Sequence, residues 1–377
     1  MERNIAFYWG NIPYPLFGGI DRVTIVLAEE FAKRGMHIYC IYSGGRENPL
    51  PKCFSGIFKY ERPKEQYTTL ERYLLENHIE IVINQRFQDF SLIKNLHSAT
   101  YPHGIKLYTV IHSSPGFEFI TAHKGIKQVG RRLYNLVLRR RYIRHHNELV
   151  TYSKHVILLS HSFVPQYKQI YRIPSVQYPK ITAIPNPCTL KKGGGGEHIS
   201  FNKQKIILCV SRLEECPKRI SIMLKIWKAL SISFSDWKFV IVGDGPSRAE
   251  YEAYSKLNNL CNIVFEGRQN PESYYEKASI FLMTSSYEGW GLTILESSAY
   301  GVVPVVMDSF SAIHDIIDNG KNGFITPNTN IGAFQDKVAL LMQDSQLRAR
   351  MSQEAYENSK MFSAQIIGDK WIELFNE

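Results

Sequence analysis

The chain lacks the marks of membrane-spanning and disulfide-bonded proteins. None of its apolar runs approaches the roughly 20 residues that a membrane-spanning helix needs. Its six cysteines are scattered and include no Cys-x-x-Cys pair, which fits reduced thiols better than a disulfide framework or a zinc site. The first residues carry an acid and pass directly into a strand pattern, so we expect no secretion signal and a cytoplasmic location.

Motifs for bound metals and dinucleotides are also missing. The sequence has no Asp-x-Asp pair and no histidine cluster suited to a metal ion, so we expect neither a metal nor another cofactor. Gly243-Asp-Gly-Pro246 follows an apolar run, but Arg248 stands where a dinucleotide-binding fingerprint has its third glycine. We therefore expect no dinucleotide site of that kind at Gly243.

Positive charge is concentrated in one segment. The formal net charge of the 377 residues is +10, and it would be +2 without eight basic residues in a stretch that contains no acid. The pattern predicts a helix whose apolar stripe includes Val137 and which becomes basic on every side towards its end. The eight residues are Lys124, Lys127, Arg131, Arg132, Arg139, Arg140, Arg141 and Arg144.

Such a helix fits an anionic partner. Clustered Lys and Arg on an amphipathic helix can lie on an anionic membrane surface, where each cation contributes roughly 1 kcal/mol. The same residues could bind an acidic or lipid-linked acceptor, or form a solvated face with ordinary core packing. A nucleic-acid-binding protein is another explanation of the charge, because phosphate contacts are made by Lys and Arg.

Apolar runs alternate with helical patterns, as is typical of α/β domains. The chain is long enough, and at 44% hydrophobic residues apolar enough, for two such domains, each with its own core. The first βαβ unit combines strands at Asn4–Tyr8 and His37–Tyr42 with a helix at Arg22–Arg34. Gly18 and Gly19 lie in its first loop, where glycines either let backbone N–H groups approach a phosphate or only make a turn.

A run of four glycines that ends at Gly196 marks the domain boundary. We predict a first domain over residues 1–192, a linker over 193–200, a second domain over 201–360 and a final helix over 361–377. Residues 49–66 show no clear period and predict a loop-bearing stretch.

The segment Ser286–Gly301 carries the clearest site pattern. The apolar run Ile280–Thr284 predicts a buried strand, and two glycines then predict a tight turn into a helix near Leu292. The turn therefore lies at the carboxyl edge of a parallel sheet, where ligands bind and a helix N-terminus attracts an anion. Glu288 and Glu296 bracket this turn. The plain alternative is that Glu288 is a solvated loop residue and that Glu296 is a helix residue with its hydrogen bonds satisfied within the protein.

Two cations flank a second strand-to-helix loop. Arg212 and Lys218 follow the apolar run Lys205–Val210. Arg supplies a planar fork and Lys a compact charge, so the pair could grip a diphosphate. Arg219 could share or replace the role of Lys218, and two exposed loop cations are the plain alternative.

His112 follows a predicted strand at Leu107–Ile111. A histidine after a strand is either a structural hydrogen-bonding residue or, at a ligand-binding edge, a catalytic one. Arg268 follows another apolar run, Ile263–Phe265, and is a weaker candidate for contact with a nucleobase.

In matching order over nearly the whole chain, these phrases resemble the GT4 family of glycosyltransferases. The family's Glu-x7-Glu motif corresponds to Glu288 and Glu296, embedded in Glu-Gly-Trp-Gly-Leu and followed by Gly301-Val-Val-Pro304. Its Gly-Asp-Gly-Pro phrase matches Gly243–Pro246, and Ile184-Pro-Asn-Pro187 resembles the end of its first domain.

The loop after the second domain's first strand departs from the family pattern. Ser211 replaces the usual glycine before Arg212, and Lys218 comes one residue later than in many members. The choice between Lys218 and Arg219 as the diphosphate ligand therefore stays open.

The resemblance implies a GT-B fold, in which two doubly wound, Rossmann-like domains face a cleft and the last helix returns to the first domain. It implies a retaining, metal-independent transferase that moves a hexose-type sugar from a nucleotide-sugar, UDP- in preference to GDP-, to a glycan or lipid-linked acceptor. Cell-surface polysaccharide or lipopolysaccharide biosynthesis at the inner face of the cytoplasmic membrane is the expected setting. A sugar-nucleotide epimerase of GT-B architecture and a nucleic-acid-binding protein are the alternatives.

The resemblance also implies the roles of particular residues. Glu288, His112, Arg212 and Lys218 are expected to act in catalysis, with Glu288 holding sugar hydroxyls and Glu296 the nucleotide ribose. The residues expected to bind the donor are Gly18, Gly19, Arg212, Lys218, Gly243, Arg268, Glu288, Gly289, Gly291, Leu292, Thr293 and Glu296.

Overall fold

The computed structural model describes residues 3–15, 18–44, 48–60, 67–121, 130–190 and 200–377. It divides into two compact units. The first contains Met1–Pro187 together with Ile367–Glu377, and the second contains Cys188–Ile366. Apart from Ser200, the predicted linker lies outside the described residues.

The first unit is built on a seven-stranded parallel sheet. In space the strands follow the order β3-β2-β1-β4-β5-β6-β7, and every recorded pairing is parallel. The order reverses between β1 and β4. The strands are β1 (Asn4–Trp9), β2 (His37–Tyr42), β3 (Gly56–Lys59), β4 (Ile81–Asn84), β5 (Lys106–Ile111), β6 (His155–Leu158) and β7 (Ile181–Ala183).

Helices connect most of these strands, as is usual for parallel pairing. They are α1 (Gly19–Lys33), α2 (Tyr67–Glu76), α3 (Leu92–Thr100), α4 (Phe117–Thr121), α5 (Gly130–Tyr152) and α6 (Phe163–Ile170), with short 3₁₀ turns at Tyr101–His103 and Ser175–Lys180. The stretch over residues 49–66, predicted to bear a loop, contains the short strand β3, which the sequence prediction did not identify, and residues 61–66 lie outside the described residues. Strand β3 was hard to recognise because it is short and its side chains alternate between exposed and partly buried at the sheet edge.

The second unit is built on a six-stranded parallel sheet. Its spatial order is β10-β9-β8-β11-β12-β13, which reverses between β8 and β11. The strands are β8 (Ile206–Val210), β9 (Lys238–Val242), β10 (Ile263–Gly267), β11 (Ile280–Met283), β12 (Val303–Asp308) and β13 (Phe324–Pro327). The helices are α7 (Glu215–Lys218), α8 (Ile220–Leu230), α9 (Arg248–Leu257), α10 (Glu272–Lys277), α11 (Leu292–Ala299), α12 (Ile313–Ile316), α13 (Ile331–Gln343) and α14 (Ser345–Ser359).

The core of the second unit explains why its central strands read as unbroken apolar runs. All four residues of β11 are buried, and Ile280 and Leu282 join a cluster with Trp227, Trp237 and Phe239 from neighbouring elements. A central strand covered by helices on both faces has no solvent side. The polar residues that follow such a strand are therefore held at a rigid edge.

The last helix, α15 (Ala364–Asn376), places its carboxyl-terminal part on the first unit, as predicted. The Phe375 ring lies 5.7 Å from that of Phe31 and 5.5 Å from that of Tyr108. Lys106 donates to the carbonyl of Phe375 over 2.7 Å, at the end of the helix where the dipole attracts a cation.

Candidate donor site in the second unit

The candidate site lies where the strand order of the second unit reverses. Arg212 and Lys218 follow β8, and Glu288 follows β11, the neighbouring strand. In open α/β sheets, the carboxyl edge at such a reversal is the usual place for a ligand. The structure thus brings the residues predicted in these two loops together at one edge of the sheet.

Lys218 and Glu288 are in direct contact. Lys218 Nζ lies 2.5 Å from Glu288 Oε1, and the Ser285 hydroxyl donates to the same oxygen over 2.7 Å. Lys218 and Glu288 retain 21% and 17% of their side-chain exposure. The pair is therefore partly shielded, but a ligand can still reach it.

Arg219 is engaged differently from its neighbour Lys218. Its backbone is left-handed, with φ 51° and ψ 44°. Its guanidinium donates to the carbonyls of Thr284 (2.5 Å) and Ser285 (2.7 Å) and to Asn328 Oδ1 (2.9 Å).

Arg212 extends away from the sheet. Its side chain keeps 65% of its exposure, and its Nη2 lies 2.5 Å from Glu214 Oε2. An exposed ion pair of this kind contributes little to stability. The guanidinium is therefore available to exchange its partner for a phosphate.

Two glycines let the turn after β9 touch the Arg212 loop backbone to backbone. A Cβ on Gly243, whose φ is 138°, would lie 1.8 Å from the carbonyl oxygen of Ser211, and one on Gly245 would lie 2.4 Å from that of Leu213. Leu213 N donates to the carbonyl of Asp244 over 3.0 Å. Gly243 thus supports the site by shaping the loop that carries Arg212.

The turn from β11 into α11 also has the predicted form. Gly291 precedes the helix with φ 89°, and a Cβ there would lie 3.0 Å from Ile294 and 3.3 Å from Phe310. Leu292 and Thr293 begin the helix and are partly exposed, as is Gly289. The first N–H groups of a helix have no intrahelical acceptor, so this end favours an anion.

Glu296 lies in the interior of the second unit. Its residue exposure is 0%, and its carboxylate accepts from the hydroxyls of Thr189 over 2.5 Å and Tyr275 over 3.3 Å. Both partners are hydroxyl donors, the same chemistry that a ribose offers. Thr189 was not foreseen, since nothing in a local pattern connects residues 107 positions apart.

Arg268 follows β10 at the edge of the sheet and is exposed. The structure therefore separates it from Lys218 and Glu288 by the intervening strand β9. Its proposed contact with a nucleobase stays a prediction.

The residues that sequence reasoning missed are mainly hydroxyls at the end of β11. Thr284 and Ser285 are 0% and 3% exposed. Thr284 Oγ1 donates to the carbonyls of Lys218 and Arg219 at 3.1 and 3.0 Å. A signal was present, because three consecutive hydroxyl residues directly follow a buried apolar strand.

In the first unit, His112 occupies the predicted place after β5. Both ring nitrogens are covered, and neither finds a partner among the described residues. Burial lowers the pKa of His112 to about 3, so the ring is neutral near pH 7. A cavity of about 10 Å³ beside it, also lined by Gln85 and Asn186, has room for about one water molecule.

Helix α1 begins at Gly19, three residues before the predicted start at Arg22, so Gly19 belongs to the helix and not to the preceding loop. Gly18 precedes the helix in an extended conformation, and a Cβ there would have only ordinary contact with Asp21. The backbone therefore does not demand glycine at position 18. Its role in phosphate binding stays a prediction.

The part of the basic segment that the structure describes, from Gly130 onward, lies in the helix α5. Arg139, Arg140, Arg141 and Arg144 are exposed, and the Arg141 guanidinium lies 4.3 Å from the centre of the Phe90 ring. The predicted apolar stripe does not extend to Val137, which is 61% exposed. Lys124 and Lys127 lie outside the described residues, as do the side chains of Arg131 and Arg132.

Within the part of the chain that the structure describes, no group of three His, Cys, Asp or Glu side chains is placed to hold a metal ion. None of the described helices combines the length and apolar character needed to cross a membrane.

Comparison with known proteins shows a likeness to glycosyltransferases. Residues 196–358 match the family model described as "Glycosyl transferases group 1". Over 376 residues the chain is 23% identical to an uncharacterized glycosyltransferase of Haemophilus influenzae, covering 98% of this chain and 99% of that protein. Over 183 residues it is 30% identical to the amylovoran biosynthesis glycosyltransferase AmsD of Erwinia amylovora, covering 48% of this chain and 50% of that protein.

A solved structure shares the whole fold. S. aureus TarM superimposes with a TM-score of 0.77 at 15% identity, and the match covers 100% of both chains. This likeness confirms the GT-B fold class. The narrower assignment to GT4 stays a prediction.

Proposed function

Because residues 196–358 match glycosyl transferases group 1 within a chain of GT-B fold, we propose that this protein is a retaining glycosyltransferase. It transfers a hexose-type sugar from a nucleotide-sugar, with UDP preferred over GDP, to a glycan or lipid-linked acceptor. The setting is the biosynthesis of cell-surface polysaccharide or lipopolysaccharide. The crystallised TarM complex contains UDP, which supports the choice of nucleotide.

One observation carries the proposal: Lys218 and Glu288 meet at the carboxyl edge of β8 and β11, beside the start of α11. Departure of a nucleoside diphosphate leaves negative charge on its phosphate oxygens. Lys218, Arg212 and the first N–H groups of α11 are the groups that stabilise this charge, and preorganised donors of this kind lower the barrier.

The transfer step needs no protein nucleophile. The bond between the anomeric carbon and the diphosphate oxygen breaks, and a bond from the acceptor hydroxyl oxygen forms on the same face of the sugar. The acceptor proton passes to the leaving phosphate. Retention is tested by the anomeric coupling constant in the proton NMR spectrum of the product.

The two glutamates divide the recognition of the donor. Glu288 binds hydroxyls of the transferred sugar, next to the cation that binds the phosphate. Glu296 binds the ribose, whose hydroxyl would replace that of Thr189 on the same carboxylate. His112, neutral because of its burial, acts as an uncharged hydrogen-bonding group towards substrate.

The reaction proceeds without a metal, because cationic side chains take over charge neutralisation that a divalent ion supplies in other enzymes. Activity should therefore be the same in EDTA and in Mg²⁺. A loss of activity in EDTA that Mg²⁺ restores would contradict this part of the proposal.

The exposed arginines of α5 bring the protein to an anionic membrane carrying the acceptor. Sedimentation with vesicles that contain phosphatidylglycerol should be lost above about 0.5 M NaCl, where charges are screened within a few ångströms. A charge-reversed variant, Arg139→Glu with Arg140→Glu, should remain in the supernatant. Equal sedimentation of this variant would contradict membrane contact.

The two alternatives have less support. The matching family model and the two relatives described above are all named as glycosyl transferases. An epimerase would convert a nucleotide-sugar without an acceptor, which product analysis would reveal. Nucleic-acid binding would appear in filter binding as a steep salt dependence.

A thermal-shift screen of UDP and GDP tests the donor site. A ligand that binds only the folded protein raises the melting temperature, so one of the two should stabilise the wild type. Arg212→Ala should abolish the shift, whereas Arg350→Ala, at an exposed arginine of α14, should keep it. An unchanged shift in Arg212→Ala would remove Arg212 from the site.

A further inference from the structure

The Arg219 side chain connects the two loops of the candidate donor site. Its contacts differ from those expected of a residue that binds substrate. Residue 219 ends α7 and precedes α8 in a left-handed conformation, which is uncommon for a residue with a Cβ. This backbone directs the chain so that Lys218 faces Glu288 while the Arg219 side chain passes to the end of β11.

The guanidinium joins three parts of the second unit. Nε donates to the carbonyl of Thr284, and Nη2 donates to the carbonyl of Ser285 and to Asn328 Oδ1, a residue that follows β13. The Nε–Nη2 edge is one of the edges with which an arginine grips a phosphate in a bidentate manner. In Arg219 this edge already holds main-chain carbonyls.

These contacts close a ring of hydrogen bonds. The Thr284 hydroxyl in turn donates to the carbonyls of Lys218 and Arg219. Ser285, fixed through its carbonyl by Arg219, donates its hydroxyl to Glu288. Glu288 in turn contacts Lys218. Lys218 and Glu288 are thus each held by a loop that Arg219 contacts.

We propose that Arg219 is a positioning residue that sets the distance between Lys218 and Glu288, and that Lys218 alone of these two cations binds the donor diphosphate. The inference rests on the proposed function of this site. A site displaced by about 1 Å loses much of its efficiency, because catalytic groups must be held within about 0.5 Å.

A double-mutant cycle separates positioning from direct binding. We would measure the Kd of UDP and GDP by calorimetry for the wild type, Arg219→Gly, Lys218→Met and the double variant. Glycine adopts the left-handed conformation without strain, so Arg219→Gly removes the guanidinium and keeps the backbone. Circular dichroism and melting temperature establish that each variant folds.

If Arg219 acts through Lys218, the effects are not additive. Arg219→Gly should weaken the binding of the nucleoside diphosphate about tenfold, and the double variant should bind within about twofold of Lys218→Met. Arg219→Lys keeps the charge but not the fork, so it should not restore binding. Turnover of the nucleotide-sugar should also fall in Arg219→Gly, because Glu288 is released together with Lys218.

Asn328→Ala offers a second route if Arg219→Gly does not fold. It removes one acceptor of the guanidinium and leaves the arginine, so it should weaken binding about twofold to threefold and again add nothing to Lys218→Met.

The outcomes distinguish the inference from the function on which it rests. Additive losses in the double variant, or full rescue by Arg219→Lys, would show that Arg219 binds phosphate directly and would overturn the positioning role alone. Unchanged binding in Lys218→Met would overturn the donor site itself, and the role of Arg219 with it.

Discussion

Neutralising Glu288 should have opposite effects on two ligands of the same site. In the structure, the Glu288 carboxylate contacts the Lys218 ammonium at 2.5 Å. A bound nucleoside diphosphate must share this ammonium with the Glu288 carboxylate, which is negatively charged like the phosphates. A nucleotide-sugar also faces Glu288, but it brings hydroxyls that donate to the carboxylate. Glu288→Gln should therefore strengthen the binding of the nucleoside diphosphate and weaken sugar transfer.

The geometry gives the size of the effect. A phosphate oxygen hydrogen-bonded to the ammonium lies about 3 Å from it, so the carboxylate and phosphate oxygens would be about 4.5 to 5.5 Å apart. Two unit charges at this separation repel by about 1 to 3 kcal/mol for effective dielectric constants of about 80 to 20. The lower value suits a site that remains partly exposed, and about 1 kcal/mol corresponds to roughly fivefold tighter binding.

Calorimetric titration with UDP and GDP measures the first effect, and steady-state transfer measures the second. Loss of a hydrogen bond to a charged group costs about 1.5 to 3 kcal/mol, so kcat/KM should fall roughly 10- to 100-fold. Asp236→Asn is the matched control, because Asp236 pairs with Lys205 at the opposite end of β8. Weaker nucleoside diphosphate binding in Glu288→Gln would refute the assigned contact between Lys218 and the phosphate.

Three further predictions concern the framework of the two units. Gly243→Ala should abolish nucleotide binding, since its Cβ would collide with a carbonyl oxygen at 1.8 Å. Gly332→Ala on α13, whose Cβ would make only ordinary contact with Asn330 Oδ1 at 3.7 Å, should be neutral or raise the melting temperature, and equal behaviour of the two variants would contradict this reasoning. Thr189→Val should lower the unfolding free energy in denaturant by about 1 to 3 kcal/mol because buried Glu296 loses a donor, while Thr189→Ser should not. Burial lowers the pKa of His145 to about 4 from 6.5, so between these values the unfolded chain binds more protons and the folded protein becomes less stable as the pH is lowered. Between pH 7.5 and 5, the unfolding free energy of His145→Gln in urea should fall by about 2 kcal/mol less than that of the wild type, and an equal fall in the two proteins would contradict this prediction.

Much of the candidate donor site could be predicted from the sequence, because its position follows from where the buried strands end. The apolar runs before Ser211 and Thr284 identify buried parallel strands, and the carboxyl ends of such strands meet at one edge. Glycines that permit positive φ then locate the turns. Lys218 and Glu288 were accordingly predicted at one site, and the structure brings them into contact.

The remaining contacts could not be predicted, because they depend on tertiary geometry. The side chain of Arg219 turns towards Thr284 only because the backbone at residue 219 is left-handed. The partner of Glu296 is Thr189, which is distant in sequence. The exposure of Val137 shows the same limit, since a helical stripe indicates which residues share a face but not whether another element covers it.

Release of nucleoside diphosphate from nucleotide-sugars tests the central claim most directly. We would incubate the protein with UDP-glucose, UDP-galactose, UDP-N-acetylglucosamine and GDP-mannose, each with bacterial membrane lipids and surface glycans as acceptors. At least one donor should be consumed with glycosylation of an acceptor, and Lys218→Met should slow that reaction at least about 100-fold, as expected when charge stabilisation of the leaving group is lost. Transfer at the wild-type rate by Lys218→Met would contradict the account.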